Sequence, residues 1–254
     1  MSQSSPRIAL VTGASSGFGR AIAQRLVADG IRVIATARRR DRLDALRSEL
    51  GDQLLPLVLD VTDAEAVAAL PGALPDGWRE VDVLVANAGL ALGLGPAHEA
   101  KPEDWARMIA TNVSGVTTTV RALLPGMVAR DRGHVITIGS IAGTYPYPGG
   151  NVYGATKAFV AQFALNLRAD LVGTGVRVSN LEPGLVGGSE FSNVRFNDDD
   201  RAAKVYENAE PLLPEDIAET VSWVLSLPAR VNINRVELMP VTQASAALAV
   251  KRKG

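Results

Sequence analysis

Two patterns of apolar and polar residues alternate along this chain. Short apolar runs rich in β-branched residues predict six strands, at residues 8–12, 31–36, 54–60, 81–86, 134–139 and 176–181. Longer stretches with helical periodicity lie between them. The runs are apolar at successive positions, which indicates burial on both faces, and the repeated strand–helix–strand order implies parallel pairing with right-handed crossovers. The pattern therefore predicts an α/β fold of the Rossmann type, with a doubly wound parallel sheet.

The chain shows no obvious division into parts. No linker rich in proline, glycine or serine, no repeat and no low-complexity tract interrupts it, so we expect a single domain over residues 1–254. A polar stretch at residues 192–200 breaks the regular order. It predicts an excursion from the scaffold around residues 185–212, which is a candidate substrate loop.

Composition narrows the classes of function. The 254 residues include 26 basic and 27 acidic side chains, a balance that disfavours nucleic acid as a partner. The absence of cysteine excludes disulfides, thiolate nucleophiles and cysteine-ligated metals, and it fits a cytoplasmic protein. The first apolar run, residues 8–11, is too short for a signal peptide, and no run reaches the length of a membrane span. His98 and His134 lack ligand-like spacing, so we interpret both as structural and predict no metal site.

A glycine-rich turn follows the first predicted strand and leads directly into a helical pattern. Glycine lets the backbone turn tightly and approach a pyrophosphate, whose charge is favoured at the amides of a helix N-terminus. The spacing Gly-x-x-x-Gly-x-Gly differs from the better-known dinucleotide fingerprint, and a turn without any ligand is the alternative. We assign to cofactor binding the residues of this turn, Gly13, Ser15, Ser16, Gly17, Phe18 and Gly19.

Arginines stand at the end of the second predicted strand, where an NAD-binding protein is expected to place an acid against the ribose hydroxyls. A guanidinium pairs with a 2′-phosphate through charge-assisted hydrogen bonds, so Arg38 and Arg39 predict NADP rather than NAD. The alternative is that these arginines belong to the solvated face of the following helix. We prefer that alternative for Arg40 and Arg42.

Polar residues also end the third and fourth predicted strands. Ligands lie at the carboxyl edge of an open parallel sheet, so we expect Asp60 to meet an adenine and Asn87 the nicotinamide half of the cofactor. Each of the two is equally consistent with a cap for the next segment. We assign to the same site their neighbours Val61, Ala88 and Gly89.

Ser140, Tyr153 and Lys157 form a candidate catalytic group. Ser140 follows the fifth predicted strand, and Tyr153 and Lys157 are four residues apart at the start of a helical pattern, on one helix face. Tyrosine is a poor base at neutral pH because its ordinary pKa is about 10, but a nearby ammonium favours the phenolate. We therefore expect Lys157 to lower the pKa of Tyr153. A buried tyrosine beside a surface lysine is the alternative.

With these motifs in this order, the sequence resembles the short-chain dehydrogenase/reductase family over nearly the whole chain. The motifs that carry the resemblance are the glycine turn, Asn87-Ala-Gly89, Asn112, Ser140, Tyr153-Gly-Ala-Thr-Lys157 and Pro183-Gly184. The resemblance implies that Tyr153 is the general base, that Lys157 binds the ribose and tunes the tyrosine, and that Ser140 holds the substrate oxygen. It also implies that Asn112 holds a water of a proton relay, whereas periodicity alone makes Asn112 a packing or kink residue.

Two departures from the family pattern concern the cofactor. Ala86 stands where the family usually has a second asparagine before Ala88 and Gly89. The threonine that usually contacts the carboxamide after Pro-Gly is absent, and Ser189 is our candidate for its place. We assign to the cofactor site on this basis Pro183, Gly184, Val186 and Ser189.

Four longer segments, residues 87–93, 149–160, 182–196 and 231–234, resemble a narrower group, the bacterial NADP-dependent 3-hydroxy acid dehydrogenases. The implied reaction is hydride transfer between the nicotinamide and C3 of serine, allo-threonine or 3-hydroxypropionate. A substrate carboxylate requires a cation, for which Arg195 is the candidate, although a solvated loop charge or an intersubunit contact explains Arg195 equally well. We expect the pocket walls to include Tyr147, Gly149 and Gly150.

The same residues are compatible with other functions. The same chemistry serves reductases of 3-ketoacyl, sugar or ketone substrates, and a non-catalytic NADP-binding sensor would keep the fold. Apolar residues on more than one face of the helix after Tyr153 indicate subunit packing. The resemblance implies a homotetramer.

Overall fold

The protein is built around a parallel β-sheet. The computed structural model describes residues 7–188, 190–196, 198, 200 and 209–245. Across them the sheet has seven strands in the order β3-β2-β1-β4-β5-β6-β7, each parallel to its neighbours. The strands are β1 (Ile8–Thr12), β2 (Arg32–Ala37), β3 (Leu54–Val58), β4 (Val83–Ala86), β5 (Gly133–Ile138), β6 (Val176–Pro183) and β7 (Arg235–Leu238). The predicted doubly wound sheet is confirmed.

Helices cover both faces of this sheet. They are α1 (Gly17–Ala28), α2 (Arg40–Leu50), α3 (Ala64–Ala73), α4 (Pro102–Ile109), α5 (Gly115–Ala129), α6 (Asn151–Asp170), α7 (Phe191–Phe196) and α8 (Pro214–Ser226). One apolar cluster joins α1, α2 and α8 to the sheet, and a second joins α3, α5 and α6 to the opposite face. A π-helical turn, Ala110–Ser114, connects α4 to α5.

The burial of β1 shows why the strand runs are apolar at successive positions. Ala9 and Val11 pack into one cluster, while Ile8 and Leu10 pack into the other. Side chains of a strand alternate between the faces of a sheet, so a sheet covered on both faces needs apolar residues at every position. In β1 the polar residue, Thr12, is thereby left to the end of the strand.

The seventh strand was absent from the predicted set. β7 lies at the edge of the sheet and pairs with β6 alone, and its residues alternate between exposed and half-buried. Such a strand carries charged residues, here Arg235 and Glu237, so it lacks the continuous apolar run by which the other strands were recognised. The strand ends also differ: β3 stops at Val58 rather than at Asp60, and β6 continues through Pro183.

Within the described residues no helix is both long enough and apolar enough to cross a membrane. The same residues hold no group of three or more histidine, aspartate or glutamate side chains arranged to bind a metal ion.

His134 is a buried polar residue inside β5, remote from the carboxyl edge of the sheet. Its Nε2 lies 2.8 Å from the Ser179 hydroxyl oxygen, and the residue is only 2% exposed. Burial, together with the charges of Arg177 and Arg7, lowers the pKa of His134 from 6.5 to about 3. The imidazole therefore stays neutral in the folded protein through the mildly acidic range.

We expect His134→Gln to make the fold less sensitive to acid. As the pH falls through 6.5, the unfolded chain binds a proton at this position that the folded chain does not bind. The stability linked to His134 is therefore fully present above pH 6.5 and declines toward pH 3, by about 3 kcal/mol once the pH is about two units below 6.5. Urea unfolding measured above pH 6.5, and again about two units below pH 6.5, should show this loss of stability in the wild type and not in His134→Gln. His98→Gln, at a side chain that is 79% exposed, should behave as the wild type does. An undiminished loss in His134→Gln would contradict the assignment.

Candidate active site

The main cleft lies at the carboxyl edge of the sheet, where the strand order reverses between β1 and β4. This is the position at which open α/β sheets bind ligands. The cleft has a volume of about 360 Å³. Its walls include most of the residues assigned from the sequence to cofactor binding, namely Gly13, Ser15, Ser16, Gly17, Phe18, Arg38, Arg39, Asp60, Val61, Asn87, Ala88, Gly89, Tyr153 and Lys157.

The glycine turn forms the floor of the cleft and depends on residues without a Cβ. Gly13 and Gly17 have φ values of +69° and +50°, in the left-handed region that favours glycine. At Gly19 an added Cβ would lie 2.4 Å from the Gly13 carbonyl oxygen and 2.6 Å from Asn87 Nδ2. The turn therefore packs directly against β4, and it leaves α1 beginning at the cleft.

Thr12 and Asn87 join the ends of β1 and β4. The Thr12 hydroxyl accepts hydrogen bonds from the amides of Asn87 and Ala88, at 3.0 and 2.9 Å. In return, Asn87 Nδ2 donates to the Thr12 carbonyl at 2.7 Å. The Asn87 side chain thus holds the glycine turn and also borders the cleft.

Arg39 reaches back over the glycine turn. Its Nε and Nη2 donate to the Ser15 hydroxyl at 3.2 and 3.0 Å, and Nη2 also donates to the Ser16 hydroxyl at 2.8 Å. Its Nη1 forms an ion pair with Glu190 at 2.9 Å. Ser16 occupies the N-cap position of α1, yet its side chain does not cap the helix. The amides at the start of α1 are therefore left without a side-chain cap.

The neighbouring arginines differ in position. Arg38 lines the cleft, whereas Arg40 pairs with Asp44 at 3.2 Å along α2, as expected for a solvated helix face. Arg42 lies on that helix too, but its Nη2 is 3.8 Å from a Glu190 carboxylate oxygen. The sequence pattern did not predict that Arg42 lies near Glu190.

Asp60 both borders the cleft and stabilises the next turn. Its Oδ1 accepts hydrogen bonds from the Thr62 amide and hydroxyl, at 3.0 and 2.8 Å. Burial by itself would raise the pKa of Asp60, but the Thr62 hydrogen bonds and the charge of Arg38 together hold it below its ordinary value. A carboxylate therefore persists at this wall at neutral pH.

The structure brings Ser140, Tyr153 and Lys157 together at one end of the cleft. Ser140 starts a short 3-10 turn after β5, where its Oγ accepts from the Ala142 amide at 3.1 Å. The Ser140 side chain lies near enough to the Tyr153 hydroxyl to act on the pKa of Tyr153. Lys157 Nζ donates to the Ile138 carbonyl at 2.7 Å and lies 5.9 Å from the centre of the Tyr153 ring.

The pKa of Tyr153 departs from the sequence-based expectation. Burial raises it to about 12, although the Ser140 side chain and the charge of Arg195 act in the lowering direction. Burial also lowers the pKa of Lys157 to about 8. Desolvation disfavours the charged form of either group, so the two values move apart in the directions seen here. The protein's own groups thus keep Tyr153 a neutral phenol at neutral pH.

Asn112 lies in the π-helical turn and is only 1% exposed. Its Oδ1 accepts from the Leu90 amide at 2.9 Å, and its Nδ2 donates to the Leu90 carbonyl at 2.8 Å and to the Thr156 hydroxyl at 3.1 Å. The helix irregularity that periodicity indicated is therefore present. Asn112 joins the loop after β4 to the helix that carries Tyr153.

Arg195 lies over the residues expected to wall the substrate pocket. Its Nε donates to the Gly93 carbonyl at 3.0 Å and its Nη2 to the Tyr147 hydroxyl at 2.9 Å. Its guanidinium carbon is 5.6 Å from the centre of the Tyr153 ring. The side chain is thus held by the protein close to the catalytic group, rather than projecting from the loop as a solvated charge.

The two glycines assigned to the pocket sit in close packing. Gly149 has a φ of +78°, and an added Cβ would lie 2.3 Å from the Leu94 carbonyl oxygen. A Cβ at Gly150 would lie 2.8 Å from the Tyr147 ring. These positions fix the ring of Tyr147 and the loop opposite it.

Three further assignments, Pro183, Gly184 and Val186, are not among the residues that line the cleft. The Pro183 carbonyl accepts a long hydrogen bond, 3.5 Å, from Ser140. Gly184 packs against Gln243, and Val186 pairs as an isolated bridge with Leu212. Ser189 lies outside the described residues.

Several cleft residues were missed by reasoning from the sequence. They are Leu90, Arg107, Thr111, Glu190, Phe191 and Val194. Phe191 packs against Tyr153, with ring centres 5.8 Å apart. The signal that points to Glu190, Phe191 and Val194 is their place in the predicted excursion. Arg107 and Thr111 follow only from how α4 and the π-helical turn pack.

Comparison with known families agrees with this geometry. The family model described as short chain dehydrogenase matches residues 7–200. The chain is a short-chain dehydrogenase. The family resemblance predicted from the motifs is therefore confirmed.

Individual relatives of this short-chain dehydrogenase cover nearly its whole length. It is 61% identical over 246 residues to the NADP-dependent 3-hydroxy acid dehydrogenase YdfG of Salmonella typhi, covering 96% of this chain and 99% of that protein. It is 48% identical to the serine 3-dehydrogenase of Rhizobium radiobacter, covering 96% and 98%. Among solved structures, the closed form of a serine dehydrogenase complexed with NADP+ matches with a TM-score of 0.95 and 58% identity, over 97% of this chain and 100% of that one.

We expect Gly19→Ala to lower the free energy of unfolding of this short-chain dehydrogenase by about 1–3 kcal/mol, because the added Cβ meets the Gly13 carbonyl and cannot be accommodated without moving the turn. Urea unfolding at neutral pH measures the change. Gly72→Ala in α3, where an added Cβ meets nothing within 4 Å, should leave stability unchanged or raise it by up to about 1 kcal/mol. Equal effects of the two substitutions would show that the turn is not tightly packed.

Proposed function

We propose that this protein is an NADP-dependent oxidoreductase that transfers a hydride between the nicotinamide and C3 of a small 3-hydroxy acid, such as serine, allo-threonine or 3-hydroxypropionate. The observation that carries the proposal is the placement of Ser140, Tyr153 and Lys157 together at the end of a cleft floored by a glycine turn. The names of the relatives support both the coenzyme and the substrate class.

The residues of the cleft fit NADP. The uncapped start of α1 offers backbone amides and a positive dipole end to a pyrophosphate. Beside it, Arg38 and Arg39 supply guanidinium groups for a 2′-phosphate, and they stand directly after β2, where an acid would receive the ribose hydroxyls instead. With NADP in this position, its nicotinamide end would lie near Asn87 and Tyr153.

The catalytic roles follow from position and charge. When bound, the coenzyme supplies the hydride acceptor or donor. Ser140 donates a hydrogen bond to the substrate oxygen, and Tyr153 takes the hydroxyl proton in oxidation or returns it in reduction. Lys157, buried and charged at neutral pH, holds the ribose and favours the phenolate of Tyr153. Asn112 fixes the Leu90 backbone, at which a water continues the proton path.

The substrate class rests on Arg195. A carboxylate entering between Tyr147 and Tyr153 would meet the guanidinium that lies 5.4 and 5.6 Å from the two ring centres. An arginine forms paired, charge-assisted hydrogen bonds with a carboxylate, and its presence next to the reacting carbon favours small hydroxy acids over ketones or sugars.

We also propose that the protein acts as a single-domain homotetramer in the cytoplasm. Two large apolar side chains of α6 are substantially exposed, Phe159 at 41% and Leu165 at 49%, and the Phe159 ring stacks on Phe163. Such a surface supports packing against another copy. The absence of cysteine from the sequence supports a reducing compartment.

We expect Tyr153→Phe to reduce turnover of L-serine, L-allo-threonine and 3-hydroxypropionate with NADP by at least about a hundredfold, because the general base is removed. Coenzyme absorbance at 340 nm follows the rate, and coenzyme titration shows that the cleft is intact. Tyr145→Phe is the matched control, since that hydroxyl contacts Glu237 outside the cleft. No turnover of these substrates by the folded, coenzyme-binding wild type would overturn the hydroxy acid assignment and point to ketone or acyl substrates.

We expect Arg39→Gln to weaken NADPH binding by about ten- to a hundredfold while leaving NADH binding nearly unchanged, because it removes charged hydrogen bonds to the 2′-phosphate. Fluorescence titration gives both dissociation constants. Arg40→Gln removes the same charge one position along the chain, on a side chain paired with Asp44, and should change neither constant by more than about twofold. Equal weakening of NADPH and NADH by Arg39→Gln would contradict the 2′-phosphate role.

A further inference from the structure

Glu190 occupies an unusual position for an acidic residue. It lines the cleft directly before α7, and its carboxylate pairs with Arg39 Nη1 at 2.9 Å. The Ser16 side chain lies near the same carboxylate, and Arg42 Nη2 is 3.8 Å away. An anion thus already sits among the groups that the proposed function assigns to the 2′-phosphate.

Four of the five N–H donors of Arg39 are engaged in this arrangement, which leaves one Nη1 hydrogen. Nε and Nη2 serve the two serine hydroxyls, and Nη1 serves Glu190. A guanidinium has a fixed fork of donors, so a phosphate that binds it must either displace an existing acceptor or sit beside one. The serine hydroxyls are neutral and can turn to donate to a phosphate, whereas a carboxylate next to a phosphate is a like-charge contact.

The Glu190 carboxylate is charged under ordinary conditions. The hydrogen bond from Arg39 is the main reason that the pKa of Glu190 lies below its usual value, and the charges of Arg39 and Arg42 add to it. Arg42 also provides an alternative partner, because its Nη2 already faces the other carboxylate oxygen at 3.8 Å. Glu190 can therefore leave Arg39 without losing every cation around it.

We propose that Glu190 is a specificity-determining residue, whose carboxylate competes with the coenzyme 2′-phosphate for Arg39 and so sets NADP affinity below what the arginines alone would give. This inference rests on the proposed NADP function. A coenzyme without the 2′-phosphate leaves the pair of Arg39 and Glu190 intact, so the competition applies to NADP alone. Glu190 also precedes α7, which carries Phe191 against Tyr153 and Arg195 over it, so the exchange at Arg39 takes place at one end of the segment that covers the catalytic group.

Glu190→Gln tests the competition by removing the charge and keeping the shape. The readout is binding, measured by calorimetry with adenosine 2′,5′-bisphosphate and AMP, which carry the adenosine half with and without the 2′-phosphate, and by fluorescence with NADPH and NADH. We expect the bisphosphate and NADPH to bind about three- to tenfold more tightly, the scale expected when one exposed ion pair and one like-charge contact are removed. AMP and NADH should change by less than about twofold.

Glu49→Gln is the matched control. Glu49 pairs with Arg20 at 2.8 Å, and its 41% exposure is close to the 43% of Glu190, but it does not line the cleft. Glu49→Gln removes the same net charge as Glu190→Gln. If it tightened bisphosphate and NADPH binding equally, the proposal would be overturned in favour of a general charge effect. Unchanged or weaker bisphosphate binding by Glu190→Gln would overturn it as well.

Arg39→Gln separates failure of this inference from failure of the proposed function. If Arg39→Gln leaves bisphosphate binding unchanged, the 2′-phosphate site itself is wrongly assigned and the inference falls with it. If Arg39→Gln weakens bisphosphate binding and Glu190→Gln does not strengthen it, the coenzyme assignment stands and only the competition is refuted. In the double variant, Glu190→Gln should lose its effect, because the contested arginine is no longer present.

Discussion

The reciprocal hydrogen bonds between Thr12 and Asn87 are the contact on which the rest of the site depends. They join β1 to β4, the two strands between which the strand order reverses and the crevice opens. Thr12 is only 2% exposed, and its hydroxyl satisfies two backbone amides that leave the sheet at this point. With the two strand ends held together, the glycine turn on one side and the loop toward Asn112 on the other acquire fixed positions. The same contact therefore positions the coenzyme floor and the catalytic end of the cleft.

Burial of the sheet on both faces explains why so much chemistry is gathered at one edge. The strands supply apolar residues to two clusters, and the polar side chains buried inside β5 and β6 contact one another, as His134 Nε2 does with the Ser179 hydroxyl. Ser140, Asp60 and Asn87 each follow the end of a strand, where a polar group keeps access to solvent or a ligand. Lys157 is the exception, because it belongs to α6 rather than to a strand end. Its side chain is buried and donates a hydrogen bond to the Ile138 carbonyl. A buried ammonium with a single described hydrogen bond is costly, which is consistent with its lowered pKa.

Features encoded locally were predictable from the sequence. The six central strands follow from apolar runs, and the shared face of Tyr153 and Lys157 follows from a separation of four residues in a helix. The edge strand β7 was not predictable in this way, because a partly exposed strand carries charged residues and lacks a continuous apolar run. Glu190 meets Arg39 across 151 positions of the chain, a contact that no local pattern encodes. The sign of the Tyr153 pKa shift was also beyond the sequence, since it depends on burial by the whole fold rather than on the lysine four residues away.

The upward direction of the Tyr153 pKa shift matters for how the site is controlled. With the pKa of Tyr153 at about 12 and that of Lys157 at about 8, the protein's own groups favour a neutral phenol next to an ammonium at neutral pH. In the role proposed for it, Tyr153 becomes a competent base only when further positive potential reaches its hydroxyl, since an added cation favours the phenolate and burial strengthens that effect. Oxidised nicotinamide carries such a charge and reduced nicotinamide does not. In that proposed role, burial of Tyr153 would make its basicity depend on the redox state of the coenzyme, so that the tyrosine would accept a proton in oxidation and donate one in reduction.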